Sequence, residues 1–270
     1  MQHAYAEAGT YQAVLTVTDD DGATASTAVP VTVTAPVVVT PPVVTPPVVT
    51  PPVATAYAAD AFERQTTGGW GQADTGGAWT TANAVSSFST SQGAGQIRMA
   101  AAGSGPQIYL DGVQATDAAT RVTVALDKVP TGAGVYASVI GRGVTGQGDY
   151  RAKVTFRANG AAAVALFRQM ADGTQTVLGT ESLVPGLTYV AGQKIAVALE
   201  VTGTSPTTVR AKVWAAGGTE PTAWAKTATD STAGLQAAGR VGFHSYLSAS
   251  ATNAPVVSSW DDLTITKAGN

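Results

Sequence analysis

The chain has 270 residues, of which 44% are hydrophobic, 7% aromatic and 12% charged, with 30 glycines and no cysteine. The low charge and the many Ala, Val and Gly residues favour short strands and small-residue turns over amphipathic helices, so an all-β fold is predicted. A net charge of −3 without a basic run argues against nucleic acid as a partner, and the lack of cysteine excludes disulfides and thiolate chemistry. No window approaches about 18 uninterrupted apolar residues, so membrane insertion is not expected.

Residues 1–35 begin with a predicted hairpin. Alternating apolar side chains from Tyr11 to Val17 predict a strand, residues 19–22 a turn, and residues 28–33 a second strand. An isolated hairpin is marginal in water, because about three strands or a second layer are needed to bury an apolar face. We therefore do not expect this segment to be an independent domain.

The same segment resembles the closing half of a PKD domain, an immunoglobulin-like sandwich of bacterial extracellular proteins. The residues that match the family's pattern are His3, Tyr5, Gly9, Tyr11, Leu15, Val17, Asp19 and Gly22. The family's opening strands and its Trp-Asp-Phe-Gly-Asp-Gly segment are missing from this sequence. The resemblance therefore implies a partial immunoglobulin-like β-segment, either cut inside a PKD domain or encoded by a gene that begins there.

Residues 36–56 form a linker rich in Pro, Val and Thr, in which PVVTP recurs with paired prolines. Proline lacks an amide donor and pushes its predecessor out of the helical region, so polyproline II is predicted. Twenty residues at about 3.1 Å each make a semi-rigid spacer of roughly 60 Å. Spacing two modules is the main interpretation, and a binding role for the paired prolines is the alternative.

Residues 57–270 are the only part large enough for a full core. Apolar alternation recurs at residues 120–127, 135–142, 149–157, 161–168, 194–201, 208–215, 239–246 and 260–266. Turns rich in Gly, Pro, Asp and Asn separate these runs. Eight or more strands in about 210 residues fit a two-sheet sandwich or jelly roll.

Three stretches of this region resemble a concanavalin A-like (laminin-G-like) module of actinobacterial surface proteins and of the minor tail proteins of their phages. They are DAFERQTTGGWGQADTGGAWT, GRGVTGQGDYRAKV, and the segment from TEPTAWAKTATDSTAG through GRVGFHSYLSASATNAPV to WDDLTI. The resemblance implies a jelly-roll sandwich used for adhesion or glycan binding.

Catalytic residues are not evident. Catalytic members of the concanavalin A-like fold carry a strand motif of the type E-x-D-x-x-E, which this sequence lacks, and Glu200 is the only glutamate in a predicted strand. Glycoside hydrolysis needs two carboxyl groups about 5 to 9.5 Å apart. His3 and His244 are the only histidines, and His244 is expected to be an ordinary surface residue. We therefore expect no enzyme activity.

A structural calcium ion is the one cofactor expected, because jelly-roll modules commonly place calcium where their first and last strands meet, and calcium prefers oxygen ligands. The candidate ligands, one pair at each end of the module, are Asp60, Glu63, Asp261 and Asp262. The alternative is that Asp262 and Arg64 are surface charges or an ion pair.

A binding face is predicted from strand parity. If residues such as Val135, Val139, Tyr150 and Val154 point inward, the opposite side of the same strands carries six basic side chains and two aromatic ones. The ligand-binding candidates on this face are Tyr136, Arg142, Arg151, Lys153, Arg210, Lys212 and Trp214. Such a face attracts an anionic polymer such as a teichoic acid, while a solvated outer sheet is the alternative. The tryptophans predicted as core residues are Trp70, Trp79, Trp224 and Trp260.

These features predict a non-catalytic extracellular module that binds a bacterial envelope glycan or another extracellular glycan. The carrier is a cell-surface or secreted bacterial protein or a phage minor tail protein in a virion. The start of the chain, MQHAYAEAG, lacks the basic and apolar regions of a signal peptide, which favours the virion if Met1 is the native start. The alternatives are a polysaccharide-active enzyme, its accessory carbohydrate-binding module, or a purely structural spacer. Self-association and virion assembly both stay open.

Overall fold

The computed structural model describes residues 3–35 and 56–269, which fall into two separate units. The polyproline II prediction for residues 36–55 lies outside the described residues. Within the described ranges the regular structure is strand, apart from the short 3-10 helices Val85–Ser87 and Ala233–Leu235, which confirms the all-β prediction. No helix in these ranges is long and apolar enough to cross a membrane.

The first unit contains the predicted hairpin. Strands β1 (Gly9–Thr18) and β2 (Thr24–Val33) pair antiparallel, so that Tyr11 lies opposite Val31. The turn closes because Asp19 Oδ1 accepts hydrogen bonds from the amides of Ala23 at 2.8 Å and Asp21 at 3.2 Å, a local pairing typical of Asp in turns. Leu15 remains 63% exposed. The described part of this unit therefore provides the hairpin without a layer that buries its apolar side chains.

The second unit is built from short antiparallel strands. In chain order they are β3 (Ala56–Asp60), β4 (Thr66–Thr67), β5 (Trp79–Thr81), β6 (Phe88–Ser91), β7 (Ala94–Met99), β8 (Gln107–Ala115), β9 (Ala118–Leu126), β10 (Val135–Val144), β11 (Gly148–Phe156), β12 (Ala161–Met170), β13 (Gln175–Val177), β14 (Ser182–Thr188), β15 (Ile195–Thr202), β16 (Thr207–Ala215), β17 (Lys226–Asp230), β18 (Gly239–Leu247) and β19 (Val256–Lys267). All eight runs predicted from alternation are strands. The strands that the alternation did not predict are mostly short or polar.

These strands form two sheets. The front sheet has eight strands in the order β13, β12, β11, β10, β18, β8 and β5, with β14 beside β12. The back sheet has nine strands in the order β17, β16, β15, β9, β19, β7, β6 and β4, with β3 beside β19. Many neighbours are far apart in sequence, such as β10 and β18, so the sheets are assembled from long-range pairings.

Apolar side chains from the inner faces of both sheets form one core. At its centre Phe243 on the front sheet stacks on Trp260 of the back sheet, with ring centroids 4.5 Å apart. Trp70 and Trp79 pack edge to face at 4.9 Å, a favoured aromatic geometry. The core prediction is confirmed for these three tryptophans. It is wrong for Trp224, which is half-buried outside the core.

Candidate functional site

A continuous groove crosses the outer face of the front sheet. Three adjoining cavities of about 600, 310 and 550 Å³ form it, and we call them the first, central and third cavities. The first and central cavities share the side chains of Arg151, His244 and Tyr246, and the central and third cavities share Tyr136 and Lys153. The groove therefore continues past the central cavity on both sides.

The register of three neighbouring strands gathers the side chains of the central cavity. Tyr136 on β10 lies opposite Tyr246 on β18, and Ser138 lies between His244 on β18 and Lys153 on β11. Because side chains alternate with a period of two, residues opposite one another project from the same face of the sheet. The rings of Tyr136 and Tyr246 lie 5.9 Å apart and form an aromatic wall.

Arg151 is held in the groove by an ion pair. Its Nε and Nη2 donate to the two carboxylate oxygens of Asp149, at 2.6 and 2.5 Å, and the side chains of both residues are only 4% exposed. This two-pronged geometry is the strong form of an arginine–carboxylate pair. The remaining terminal nitrogen, Nη1, lies 3.5 Å from Nδ1 of His244. Arg151 is thus neutralised by Asp149 and still directs one nitrogen into the groove.

His244 is a groove residue and not the ordinary surface residue expected from the sequence. Burial, together with the nearby charge of Arg151, lowers the pKa of its imidazole to about 3. His244 is therefore neutral at physiological pH, with one ring nitrogen to donate and one to accept a hydrogen bond. Its polar position on β18 was visible in the sequence, but the groove around it depends on distant strands.

Lys153 lies at the boundary of the central and third cavities. Its Nζ is 4.0 Å from the ring centroid of Phe167 and 4.9 Å from that of Tyr136, which are cation–π distances. Burial lowers the pKa of this ammonium group, Glu181 raises it and Arg151 lowers it again. Glu181 itself pairs with Arg157. Lys153 is therefore a partly desolvated cation placed between two rings.

The far end of the first cavity depends on a second cation and on glycine. The guanidinium carbon of Arg240 lies 3.5 Å from the ring centroid of Tyr109, and its Nη1 donates to Asp111 at 2.7 Å. A Cβ on Gly242 would come within 2.6 Å of Cδ1 of Tyr109, and one on Gly105 within 3.0 Å of Nε2 of His244. Glycine at these two positions lets the rings pack closely against the backbone.

Of the seven residues predicted to share the binding face, three lie together on the outer face of the front sheet and four lie elsewhere. Tyr136, Arg151 and Lys153 share the outer face of the front sheet, as parity predicted. Arg210, Lys212 and Trp214 belong to β16 in the back sheet and project from the opposite side of the sandwich. Parity assigns a side within each strand, but it does not say which sheet a strand joins.

The two predicted basic side chains of β16 are already paired. Arg210 forms an ion pair with Glu200, and Lys212 Nζ lies 3.1 Å from Glu220. Both cations also lie over the ring of Trp224, at 4.8 and 4.6 Å from its centroid. The side chains that were expected to attract an anionic ligand are thus largely neutralised by neighbouring carboxylates.

Arg142 is buried, in contrast to its predicted place on the binding face. An irregularity of the β10 register falls between Ile140 and Arg142, and an extra residue in a strand reverses the side to which the following side chain points. Arg142 is 0% exposed and donates hydrogen bonds to Thr207 Oγ1 at 2.7 Å and to backbone carbonyls that include that of Gly203 at 3.0 Å. Burial lowers the pKa of its guanidinium. Arg142 has no access to a ligand.

The four predicted calcium ligands are not gathered into one site. The first and last strands of the module do pair, with Asp60 opposite Leu263, but the Asp60 carboxylate points into the core. Its oxygens accept hydrogen bonds from Arg64 at 2.7 Å, Trp79 Nε1 at 2.7 Å and the amide of Phe62 at 2.9 Å.

Of the other three carboxylates, Glu63 and Asp262 are exposed and Asp261 is half-buried. Asp261 pairs with Lys194 at 2.6 Å, Asp262 lies 3.5 Å from the same ammonium, and Glu63 is exposed. Within residues 3–35 and 56–269 no group of three or more His, Asp or Glu side chains has the arrangement to hold a metal ion. Asp262 is an exposed charge, as the alternative had it, but Arg64 pairs with the buried Asp60 and not with Asp262.

The groove's carboxylates are also paired. Among the described lining residues, Asp149 and Glu181 are the acidic ones, and each forms an ion pair with an arginine. Glycoside hydrolysis by the usual route requires one carboxyl group to donate a proton and another to act as a base or nucleophile. What the groove offers instead is aromatic surface, neutral hydrogen-bonding groups and the ammonium of Lys153.

Comparisons with known proteins found fold similarity only. No protein-family model matches the chain, and no curated protein matches it. A β-glucanase from Bacillus licheniformis has a similar structure, with a TM-score of 0.51 at 13% identity over 79% of this chain and 98% of that one. The Crh5 transglycosylase in complex with NAG has a TM-score of 0.51 and 16% identity, over 82% of this chain and 88% of that one. An alginate lyase Aly36B mutant in complex with an alginate tetrasaccharide has a TM-score of 0.50 and 10% identity, over 80% of this chain and 98% of that one. The similarity confirms the jelly-roll sandwich predicted for this chain.

Proposed function

We propose that this chain is a non-catalytic glycan-binding module whose ligand lies in the groove of the front sheet. The observation that carries the proposal is the continuity of the three cavities along one face, with the rings of Tyr136 and Tyr246 beside polar groups of Ser138 and Gln175. Sugar rings pack their apolar faces on aromatic side chains and satisfy their hydroxyls with such polar groups. An elongated groove suits a chain of sugars better than a single small molecule.

Two saccharide complexes on this fold support the proposal. The structures similar to this chain include a transglycosylase in complex with NAG and an alginate lyase mutant in complex with an alginate tetrasaccharide. Binding without turnover is favoured for this chain because the acidic side chains of its groove are held by Arg151 and Arg157. The pKa of Glu181 is lowered, because hydrogen bonds from Arg157 and Thr155 outweigh its burial, so this carboxylate is a poor proton donor. Burial raises the pKa of Asp149, but both of its oxygens accept hydrogen bonds from Arg151.

The proposed setting is extracellular, on a bacterial surface protein, a secreted protein or a phage minor tail protein. The resemblance of residues 1–35 to part of a PKD domain and that of residues 57–270 to a concanavalin A-like module support this setting. Sequencing the neighbouring genes tests the carrier. Tail-assembly genes indicate a virion protein, whereas an upstream in-frame signal peptide and further PKD repeats indicate a bacterial one.

The binding test uses the full chain and a panel of immobilised polysaccharides. Gln175 is exposed on the edge strand β13 and lines the first and central cavities, so Gln175→Trp should fill the groove without disturbing the core. Thr229→Trp, at an exposed position on the edge strand β17 of the back sheet, is the matched control. We expect Gln175→Trp to abolish binding and Thr229→Trp to leave it intact.

Reducing ends and unsaturated products are measured in the same samples. Their absence during prolonged incubation with a bound polysaccharide is the expected result. Clear turnover would replace the binding proposal with the enzyme alternative. Failure to bind any polysaccharide in a broad panel would favour the structural spacer.

A further inference from the structure

We propose that the central cavity is a subsite for an acidic sugar in the interior of a polysaccharide chain, whose anionic group is bound by the ammonium of Lys153. This inference rests on the proposed function of the groove and specifies its ligand. The acidic sugar is a pyranose with a carboxylate or a sulfate ester. The following features of the described residues carry the inference.

The open ends of the central cavity indicate an internal sugar. The first cavity extends from it toward Gly146 and Gly173, and the third extends toward Asn159 on the other side of Lys153. The central cavity itself measures about 310 Å³, near the lower limit of the range of about 300 to 1,000 Å³ for small-molecule sites. A polymer that lies along the groove therefore places one unit in the centre and has room for units on both sides.

The charge of Lys153 is the least compensated in the groove. Arg151 is paired with Asp149, Arg240 with Asp111 and Arg157 with Glu181. Among the ion pairs formed by the described residues, none includes Lys153, although its ammonium lies in a partly desolvated position between the rings of Phe167 and Tyr136. A partly buried cation outside any ion pair is unfavourable even with Glu181 nearby, so binding an anion there recovers electrostatic free energy.

The same cavity provides for the rest of a sugar. Tyr136 and Tyr246 form its aromatic wall. Ser138, Gln175 and the neutral ring of His244 also line the cavity and can form hydrogen bonds with the hydroxyls of a sugar. A poly(glycerol phosphate) chain carries the negative charge but has no pyranose ring to pack on the tyrosines. The combination of rings and one ammonium therefore favours an acidic pyranose over a teichoic acid.

The burial of Lys153 supports the same assignment. Burial holds the pKa of the ammonium below its ordinary value, and the charge of Arg151 acts in the same direction, whereas Glu181 opposes them. An anion bound within a few ångströms stabilises the charged form and raises the pKa again. The pKa of Lys153 is therefore a direct readout of anion binding at this position in the unmodified protein.

The experiment compares acidic polymers with matched neutral ones on the full chain. The acidic probes are polygalacturonate, polymannuronate and dextran sulfate, and the neutral ones are methyl-esterified polygalacturonate, methyl-esterified polymannuronate and dextran. Poly(glycerol phosphate) is the anion that lacks a pyranose. We expect at least one acidic polysaccharide to bind about tenfold or more tightly than its neutral counterpart. A single charge-assisted hydrogen bond is sufficient for an affinity difference of this size.

Three variants locate the effect. Lys153→Met should remove the preference for the acidic probe, and Lys153→Arg should keep most of it. Lys267→Met makes the same charge change at an exposed lysine of the back sheet and should bind like the wild type. In the wild-type protein, NMR of the lysine Cε resonances should show that the pKa of Lys153 rises when the acidic polymer is added. This measurement does not depend on the folding of any variant.

Failure of the acidic subsite can be distinguished from failure of glycan binding in the groove. If neutral and acidic forms bind equally well in the groove, or if Lys153→Met keeps the preference, the acidic subsite is wrong while glycan binding stands. If poly(glycerol phosphate) binds and no polysaccharide does, the sugar assignment is overturned. If Gln175→Trp leaves all binding unchanged, the groove itself is not the site and both proposals fail.

Discussion

Arg142 on the front sheet donates a 2.7 Å hydrogen bond from Nη1 to Oγ1 of Thr207 on the back sheet. The same guanidinium donates to the carbonyl oxygens of Thr116 and Gly203, and all of its side chain is buried. A buried cation whose two terminal nitrogens donate to neutral acceptors from several segments links the two sheets, while its Nε has no hydrogen-bond partner. Its contribution is to the stability of the fold that supports the groove.

We expect Arg142→Ala to lower the free energy of unfolding by about 3 kcal/mol, because it removes packed volume and leaves buried acceptors without a donor. Denaturant titration of the full chain measures the effect. Arg98→Ala, at an exposed position on β7, is the matched control and should change stability by less than about 0.5 kcal/mol. Equal stability of the two variants would show that the Arg142 network contributes little.

Asp60→Asn is expected to destabilise the protein by about 2 to 4 kcal/mol. Asp60 accepts two hydrogen bonds from Arg64 and one from Trp79 Nε1 inside the core, and an amide keeps the shape while losing the charge and one acceptor oxygen. A double-mutant cycle with Arg64→Met measures the coupling. Additive effects of the two substitutions would contradict an energetically significant ion pair.

His244 predicts a specific loss of stability in acid. Its pKa is about 3 in the folded protein and about 6.5 in an unfolded chain, so the unfolded state binds a proton first as the pH falls. The stability associated with the neutral ring is therefore complete above pH ~6.5 and falls, by at most about 1.4 kcal/mol per pH unit, until the folded-state pKa is reached.

Unfolding free energies of the wild type and of His244→Gln at pH 7 and pH 5 test this. Most carboxylates remain ionised across that interval, so they contribute little to the difference between the two proteins. The variant should lose less stability than the wild type on acidification. Identical losses would mean that His244 titrates normally in the folded state.

Substitutions on the back sheet should not affect glycan binding. Arg210→Ala and Trp214→Ala change side chains on β16, on the opposite side of the sandwich from the groove. Tyr246→Ala removes one ring of the aromatic wall and should weaken binding about tenfold or more, since a stacked ring typically contributes about 1 kcal/mol beyond its buried area. The three variants are compared with the same polysaccharide, and a loss confined to Arg210→Ala or Trp214→Ala would move the site to the back sheet.

Several features of this protein were determined by local sequence alone. The alternation in β10, β11, β15 and β16 assigned each side chain to the inner or outer side correctly up to the irregularity in β10, because the side-chain period of a strand is a property of the strand itself. The hairpin of residues 9–33 followed from the same alternation and from the turn at Asp19. The buried positions of Trp70, Trp79 and Trp260 followed from the context of each large apolar ring.

Other features were decided only by the tertiary structure. Lys153 and Lys212 have the same parity, yet they project from opposite sides of the sandwich because their strands join different sheets through pairings distant in sequence. The inward turn of Arg142 depends on one irregular pair in β10, which the residue pattern did not mark. The same long-range pairings place His244 beside Arg151 and Trp79 beside Asp60. Local alternation specifies a side of a strand, whereas a groove is specified by which strands lie next to one another.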